Sequence, residues 1–352
     1  MRYPLIAASA LALTAGSPAA AQQAAPIEWS IERGSKLPAG ERVQLTIETR
    51  WEARDRSMWS NSYEMREIPG LSWAQVNGSR QPVRFALVRD AGRLDCGGTA
   101  GNGRGEGTCR FAPDPAFAAY LQERGVGRPD LKQSYSLTMS RVGRDLVDSM
   151  ADIGYARPTI DQLVAMGIHG VSADYVRELA RSGYRLASAD DLVSFKIHGV
   201  ELDFIRGIAA IGPQLQHLAA DDLVSMRIHG VTPEYVREMA AMGPEFRNVS
   251  AEDIVAFRIH GAKPEMIRAY ARFARGRLVP EDVVAMAIHG VTASYIEEMA
   301  SLGYRDFTAQ ELVQMRIHGV SPAYVRSLER DGMARLSADQ LVRLRIAGFT
   351  PR

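Results

Sequence analysis

The tripeptide Ile-His-Gly recurs six times in this chain and constrains its fold more than any other feature. Its histidines are 29, 31, 31, 29 and 29 residues apart, and a seventh copy, Ile346-Ala347-Gly348, follows without the histidine. Self-similarity at this period is typical of stacked supersecondary units. A degenerate copy, Val147–Tyr155, precedes the first complete one. This copy and the altered last copy are typical of the end caps of such an array. The six complete copies contain His169, Gly170, His198, Gly199, His229, Gly230, His260, Gly261, His289, Gly290, His318 and Gly319.

The copy MRIHGVTPEYVREMA, residues 226–240, predicts a turn between two helices. Gly230 stands where a first helix would end in the left-handed conformation, which glycine adopts at no steric cost. Val231 can then contact Met226 on the last turn, as in a Schellman ending. Thr232 is a good cap for a second helix, and Pro233 suits its first position. We therefore expect the Ile-His-Gly tripeptide to be a structural turn.

Both ends of the predicted helices carry further signals. Ser250 is a cap for a first helix, and Thr308 with Glu311 predicts a capping box. The second helices are expected to end at Gly183, Gly212, Gly243, Gly303 and Gly332. Helices of about ten residues are not stable alone, so the hairpins must stack on one another. Residues 132–352 are therefore predicted to form an α-solenoid of αα-hairpin repeats.

Residues 22–131 favour strands instead. In VQLTIETRW, Val43, Leu45 and Ile47 share one face and polar residues take the other, which is the pattern of a half-buried strand. SMWSNSYEM, PVRFALVRD and GTCRFAP are weaker strand candidates, and Asn77-Gly78 is a tight-turn signal. The helix DPAFAAYLQERG is expected to close this part. The predicted fold class is therefore multidomain β + α: a small antiparallel β domain, as a sandwich or open barrel, followed by the solenoid.

Two cysteines, Cys96 and Cys109, flank a glycine-rich stretch that we expect to be flexible. A disulfide between them would close a short loop and tie two strand ends together. By the chain-entropy model, such a bond contributes about 3 kcal/mol to stability. Residues 22–131 are therefore predicted to hold a disulfide hairpin.

The first 21 residues have the pattern of a secretory signal peptide. Arg2 supplies a basic start, an apolar stretch follows, and Ala19-Ala20-Ala21 offers a cleavage site after Ala21. No later segment has the roughly 20 apolar residues that a membrane span needs. We therefore expect a periplasmic or secreted protein with no membrane span in its mature chain, in a compartment that permits the disulfide.

The histidines do not have the spacing of a metal or catalytic site. Equivalent atoms of packed helices lie about 8 to 10 Å apart, whereas ligands of one zinc ion lie about 2 Å from it. The sequence also lacks the order of a nucleophile elbow and its triad partners. We therefore predict no catalytic residue, no metal and no cofactor. Each imidazole is expected to bond a terminal carbonyl or pack on the next repeat, and a shared response to pH is the other interpretation.

A row of arginines, one in most of the second helices, is the candidate partner-binding surface. Acids nearby, such as Glu178 and Glu238, allow the alternative that the row is a solvated face of ion pairs. A net charge of +1 argues against nucleic acid as the partner. The row consists of Arg177, Arg206, Arg237, Arg268 and Arg326.

The strings LVSMRIHGVTPEYVREMA and LVQMRIHGVSPAYVRSLE resemble helical repeats of exported bacterial proteins, including repeats appended to BlaR1-type sensor metallopeptidases. The likeness covers about residues 137–352. The peptidase's His-Glu-x-x-His signature is absent from this chain, so the resemblance implies no peptidase activity. It implies an envelope protein with a role in sensing or signalling.

Three functions are compatible with these features. The first is a non-enzymatic exported scaffold that binds a protein partner in the cell envelope. The second is nucleic-acid binding, because the turn faintly resembles a helix-hairpin-helix motif, although Ile228 replaces its first glycine. The third is an enzyme with its site in the β domain, for which no nucleophile or acid–base pair is evident. We expect the first.

Overall fold

The computed structural model describes residues 27–33, 42–52 and 55–350. The predicted signal peptide and its cleavage site lie outside these ranges. The chain forms two compact units. The β unit runs to Phe117 and includes Asp130–Met139, and the helical unit holds Ala118–Pro129 and continues from Ser140.

The β unit is built on one six-stranded antiparallel sheet with the order β3-β2-β1-β6-β5-β4. The predicted β domain is therefore confirmed, and among the described residues its strands form a single open sheet rather than two stacked sheets. All three weaker strand candidates are strands, and the predicted short helix is α2, Pro115–Glu123. The strands are β1 Ile27–Glu32, β2 Arg42–Glu52, β3 Asp55–Glu64, β4 Gln81–Arg89, β5 Gly92–Gly101 and β6 Arg104–Pro113.

One face of the sheet carries the core of the β unit. Val43, Leu45 and Ile47 of β2 are buried, as their alternation with polar residues predicts. Helices α1, Trp73–Asn77, and α3, Leu131–Met139, pack on β5 and β6. Tyr135 of α3 is fully buried, with its ring edge-on to neighbouring aromatic rings.

The prediction of a flexible glycine-rich stretch is wrong, because this segment is the β5–β6 hairpin. The indole of Trp29 lies across its glycines, and its Nε1 donates to the carbonyl of Gly97 at 3.1 Å. A Cβ on Gly98 or Gly107 would come within 2.8 Å of that ring and closer still to the opposite strand. Glycine is needed here for close approach of an indole rather than for flexibility.

The Asn77-Gly78 pair does not form a hairpin turn. The pair ends α1 instead. The amide of Gly78 donates to the carbonyl of Ala74, and Gly78 has a φ of −75°. Asn102 and Gly103, with φ of 56° and 80°, make the tight turn between β5 and β6. The dipeptide was the wrong signal because asparagine and glycine suit helix ends as well as hairpins.

The helical unit is a serial array of short antiparallel helices, as predicted for an α-solenoid. The first helices of successive hairpins pack on one another from α5 to α17, and the second helices form the other layer. The helices are α4 Arg144–Ile153, α5 Ile160–Ile168, α6 Ala173–Arg181, α7 Ala189–His198, α8 Leu202–Ala209, α9 Ala220–Ile228, α10 Pro233–Ala240, α11 Ala251–Ile259, α12 Pro264–Phe273, α13 Pro280–Ile288, α14 Ala293–Ser301, α15 Ala309–Ile317, α16 Pro322–Arg330 and α17 Ala338–Ile346.

The turn between paired helices has the predicted Schellman geometry. The amide of Val231 donates to the carbonyl of Met226 at 2.8 Å, and that of Gly230 donates to Arg227 at 3.1 Å. Gly230 has a φ of 68°, and the glycines of the other copies lie between 67° and 74°. Thr232 then accepts a hydrogen bond from the amide of Tyr235 and caps the second helix. The hairpin reversal therefore depends on a left-handed residue that glycine provides without strain.

Two predicted helix-ending glycines behave differently from the rest. Gly183, Gly303 and Gly332 have φ near 82° and are left-handed, but Gly212 and Gly243 are extended. A proline follows each extended glycine and starts a 3-10 turn, at Pro213–Leu215 and Pro244–Phe246. Proline disfavours a left-handed residue before it, and the two extra residues of the 31-residue repeats make this turn.

The degenerate first copy spans the length of a complete repeat in its sequence. By alignment with later repeats, α3 is its first helix and α4 its second. Arg141 stands in the glycine position and has a φ of 61°. A non-glycine residue in this region costs about 1 kcal/mol or more, which explains why the copy was hard to recognise from sequence.

Candidate functional site

Seven isoleucines form an exposed row along the helical unit. Each is the last or next-to-last residue of a first helix, directly before the histidine of the turn or the alanine that replaces it. Their exposed fractions lie between 47% and 64%. With the adjoining histidines, they define a surface that we call the isoleucine–histidine stripe. The isoleucines are Ile168, Ile197, Ile228, Ile259, Ile288, Ile317 and Ile346.

The exposure follows from helix geometry. In α9, Leu223 and Met226 are three residues apart and fully buried, so they lie on one face. Ile228 is two residues further on, about 200° around the helix, and therefore points away from the core. Nothing in the turn requires an apolar side chain there, so a repeated isoleucine is a feature of the surface rather than of the fold.

The histidines occupy the residue at which the first helix ends. Their backbones take part in the turn, and the residues are exposed at five positions and half-buried at His318. Among the described residues, no side-chain hydrogen bond involves any of these imidazoles. Of the two expected roles, a bond from the ring to a terminal carbonyl is therefore not found, and amides of the turn bond those carbonyls instead. Packing of the ring on the next repeat stays a prediction. The same described residues contain no group of three or more His, Cys, Asp or Glu side chains able to hold a metal.

Behind the stripe, successive repeats are joined by stacked cations and aromatic rings, which we call the aromatic–cation ladder. The cation is the residue before the isoleucine, and the ring is near the start of the second helix of the preceding repeat. Cation-to-centroid distances run from 4.5 to 5.0 Å. The five pairs are Lys196 on Tyr175, Arg227 on Phe204, Arg258 on Tyr235, Arg316 on Tyr295 and Arg345 on Tyr324.

The glycine of each preceding turn forms the other side of most of these stacks. A Cβ on Gly290 would lie 3.2 Å from Arg316, and one on Gly199 would lie 3.2 Å from Arg227. In the last pair, Nε of Arg345 also donates to the carbonyl of Gly319 at 3.1 Å. In these stacks the guanidinium therefore lies between an aromatic ring and the backbone of the turn glycine. The glycine allows the chain to reverse, and its lack of a side chain leaves room for the guanidinium of the next repeat.

The ladder tyrosines also bridge repeats through their hydroxyls. Tyr175, Tyr235 and Tyr295 each donate to the carbonyl that follows the turn glycine of the next repeat, at 2.8 to 3.1 Å. Tyr324 donates in the same way to the carbonyl of Phe349 at 3.2 Å. Burial raises the pKa of Tyr235 and Tyr295 to about 12, so both phenols remain donors over the physiological range.

We expect the helical unit to lose stability between pH 10 and 12. A phenol in an unfolded chain ionises near pH 10, whereas the buried phenols ionise later. Because the folded pKa is raised, the stabilising contribution is complete below pH 10 and is lost as the pH rises further. In a pH titration, the phenolate absorbance of Tyr235 and Tyr295 should therefore rise only near pH 12. Tyr295→Phe should reduce the absorbance change in that range by the contribution of one tyrosine. Complete ionisation near pH 10 in the folded protein would contradict this placement.

The predicted arginine row lies on the second helices, and its side chains are paired with carboxylates. Arg237 contacts Glu234 at 2.9 Å, and Arg268 contacts Glu265 at 3.4 Å. These acids are not Glu178 and Glu238, the two that the sequence suggests. The remaining pairs are Arg177 with Asp145 and Asp174, Arg206 with Asp203, and Arg326 with Glu298. Such exposed pairs contribute about 0 to 1 kcal/mol each, and they are what the solvated-face interpretation expects.

Sequence reasoning missed the stripe and the ladder. A signal for the stripe was present, because isoleucine precedes glycine by two residues in all seven copies although the turn needs no apolar residue there. The ladder could have been found by comparing neighbouring repeats. Where the ring position holds Leu146 or Met266, the cation position of the next repeat holds Gly167 or Ala287.

Within residues 27–33, 42–52 and 55–350, none of the helices combines the length and the apolar character that crossing a bilayer requires. The paired cysteines are joined, with Cys96 opposite Cys109 on β5 and β6 and their Cα atoms 4.0 Å apart. No family model matches the chain, and no curated protein matches it either.

Proposed function

We propose that this protein is an exported, non-enzymatic scaffold that binds a protein partner along the isoleucine–histidine stripe. The observation that supports this is the recurrence of an exposed isoleucine at one position of all seven repeats that carry the turn glycine. Within the described part of the helical unit, Phe349 is the one other large apolar side chain that is exposed. An isoleucine side chain left in water contributes no hydrophobic stabilisation to the fold. A partner that covers the row would gain about 1 kcal/mol for each isoleucine, because roughly half of each residue is already covered in the free protein.

The chemistry of the stripe favours a protein over a nucleic acid or a lipid surface. Isoleucine and imidazole supply apolar contact and hydrogen bonding but no fixed positive charge. The basic residues beside them are engaged in the ladder, and the chain carries a net charge of only +1. A phosphate backbone or an anionic bilayer is bound mainly through clustered lysines and arginines. The helix-hairpin-helix alternative is therefore disfavoured.

The spacing of the stripe suits an extended partner surface. Neighbouring packed helices lie about 8 to 10 Å apart, so the isoleucines are separate contacts rather than one apolar patch. Solenoids present long binding surfaces of this kind. The proposed setting is the cell envelope, supported by the signal-peptide pattern and the disulfide, and a role in sensing or signalling follows from the resemblance of the repeats.

Site-specific photocrosslinking tests the proposal. We expect a photoreactive residue in place of Ile228 or Ile288 to capture one defined envelope protein. The same residue in place of the exposed Glu252, at the opposite end of a first helix, should not capture it. Adding Ile228→Ser, Ile259→Ser and Ile288→Ser to a chain with the photoreactive residue at Ile317 should weaken capture about a hundredfold or more.

The three serines replace exposed side chains, so the thermal unfolding midpoint should stay close to that of the parent. Equal capture from Glu252, or undiminished capture by the triple variant, would overturn the proposed interface. Capture of a second copy of this chain alone would make the stripe a self-association surface instead of a scaffold for another protein.

A further inference from the structure

Two steps of the aromatic–cation ladder lack both the ring and the cation, and one of these two steps is open. Between the repeats of His260 and His289, the ring position holds Met266 and the cation position holds Ala287. The turn glycine of this step, Gly261, has no heavy atom within 4 Å of where a Cβ would stand. At the steps on either side, Arg258 and Arg316 occupy that place beside Gly230 and Gly290.

A cavity of about 280 Å³ lies at this open step. It is smaller than the roughly 300 to 1,000 Å³ of drug-sized ligand sites, so it suits a single side chain. Two turns and two second-helix starts surround it. Its lining includes Gly261, Lys263, Glu265, Met266, Ala287 and Thr292.

The other step that lacks both partners is closed. There, a Cβ on Gly167 would lie 2.5 Å from the Oγ of Ser140 and 2.6 Å from Val142, so that step packs directly. The open step instead combines several departures from the repeat pattern. Ala262, Lys263, Met266 and Ala287 replace the usual valine, capping hydroxyl, aromatic and basic residues.

Two backbone carbonyls that accept hydrogen bonds between repeats at the last two steps have equivalents at this one. The carbonyl of Gly261 corresponds to that of Gly319, which accepts from Arg345. Met266 has no hydroxyl to donate to the carbonyl of Val291, whereas Tyr295 donates to the corresponding Val320. Glu265 adds a carboxylate to the lining. This carboxylate is 61% exposed and lies 3.4 Å from Arg268. The ammonium of Lys263, which also belongs to the lining, acts against the binding of a cation.

We propose that this cavity binds the guanidinium group of an arginine on a protein partner, replacing the arginine that the chain supplies at neighbouring steps. The carbonyls would accept from the planar N–H groups, and the thioether of Met266 would take the place of the ring. The claim that the arginine belongs to a protein partner rests on the proposed scaffold function. The claim that the cavity binds a guanidinium group is independent of that function.

Small probes test the site in the full chain. We expect N-acetyl-arginine amide to bind with a Kd in the millimolar range, measured by NMR shifts of residues around Ala287. The neutral analogue N-acetyl-citrulline amide and N-acetyl-lysine amide should bind about tenfold more weakly or worse, because they lack the charged fork. Binding by citrulline equal to that by arginine would overturn the proposal.

Filling the cavity provides the matched variant. Met266→Tyr with Ala287→Arg should complete the ladder, raise the thermal midpoint and abolish binding of the probe. Ala287→Leu, which fills the space with apolar atoms, gives the same test if the double variant fails to fold. Undiminished binding by a folded, filled variant would refute the site.

A reverse experiment distinguishes the site from the stripe. Arg316→Ala should open a second cavity beside Tyr295, lower the thermal midpoint and let the capped arginine restore part of it. The triple serine variant of the stripe should bind the probe like the parent, so failure of the two proposals can be told apart. Free arginine binding more tightly than the capped form would overturn the protein source of the guanidinium.

Discussion

Replacing Gly290 with valine is expected to lower the free energy of unfolding of the helical unit by about 3 kcal/mol. Gly290 has a φ of 69°, where an L residue costs about 1 to 2 kcal/mol. A branched side chain would also push Arg316 from its position between the turn and Tyr295, and a desolvated cation–π contact is worth up to about 2 kcal/mol. Chemical denaturation followed by circular dichroism measures the change.

Gly261→Val is the matched control for this variant. Gly261 has a φ of 72° and the same turn, but no guanidinium lies beside it. Valine there should therefore cost only the backbone strain, about 1 kcal/mol less than at Gly290. Equal losses at the two glycines would mean that the guanidinium stack contributes nothing to the contact between repeats.

The second large effect is expected from the disulfide. Replacing Cys96 and Cys109 together with serine should lower the free energy of unfolding of the β unit by about 3 kcal/mol. The bond closes a loop with a sequence separation of 13, between directly opposed positions of β5 and β6. Removing it restores chain entropy to the unfolded state, and denaturation followed by tryptophan fluorescence reports on this unit, which contains all four tryptophans.

The helical unit provides the internal reference for this double variant. Its helices contain no cysteine, so the transition that circular dichroism follows should remain where it is in the parent. An unchanged fluorescence transition in the serine variant would show that the hairpin is held by the Trp29 contact and strand pairing alone.

The helical repeats could be predicted from sequence because their signals are local. Thr232, Pro233 and Gly230 act within one turn of the backbone, and the structure places each where local rules require. The same locality explains the prediction of β2 from the alternation of Val43 and Leu45 with polar neighbours. Capping, turn and alternation rules need no knowledge of distant parts of the chain.

The errors arose where a distant residue decides the conformation. The glycines of β5 and β6 are ordered because Trp29, about 70 residues away, lies across them. Glycine content alone cannot distinguish close packing from flexibility. The extended conformation of Gly212 could have been predicted from its neighbour, because Pro213 restricts the backbone conformation of the residue before it.

The candidate site was harder to predict than the fold. The arginine row drew attention because it is charged, but its members are paired with neighbouring acids. The stripe was overlooked because isoleucine in a helix is ordinarily a core residue. Ile228 is recognisable as a surface residue only once Leu223 and Met226 fix which face of α9 is buried.

The exposure of the stripe can be measured directly by methyl NMR with a soluble paramagnetic gadolinium chelate. Isoleucine δ1 methyls at positions 168, 197, 228, 259, 288, 317 and 346 should broaden strongly as the chelate is added. The methyls of the buried Ile205, Ile254 and Ile296 should remain sharp at the same concentration. Protection of the seven methyls to the level of the buried three would contradict an exposed stripe, and with it the surface on which the proposed function depends.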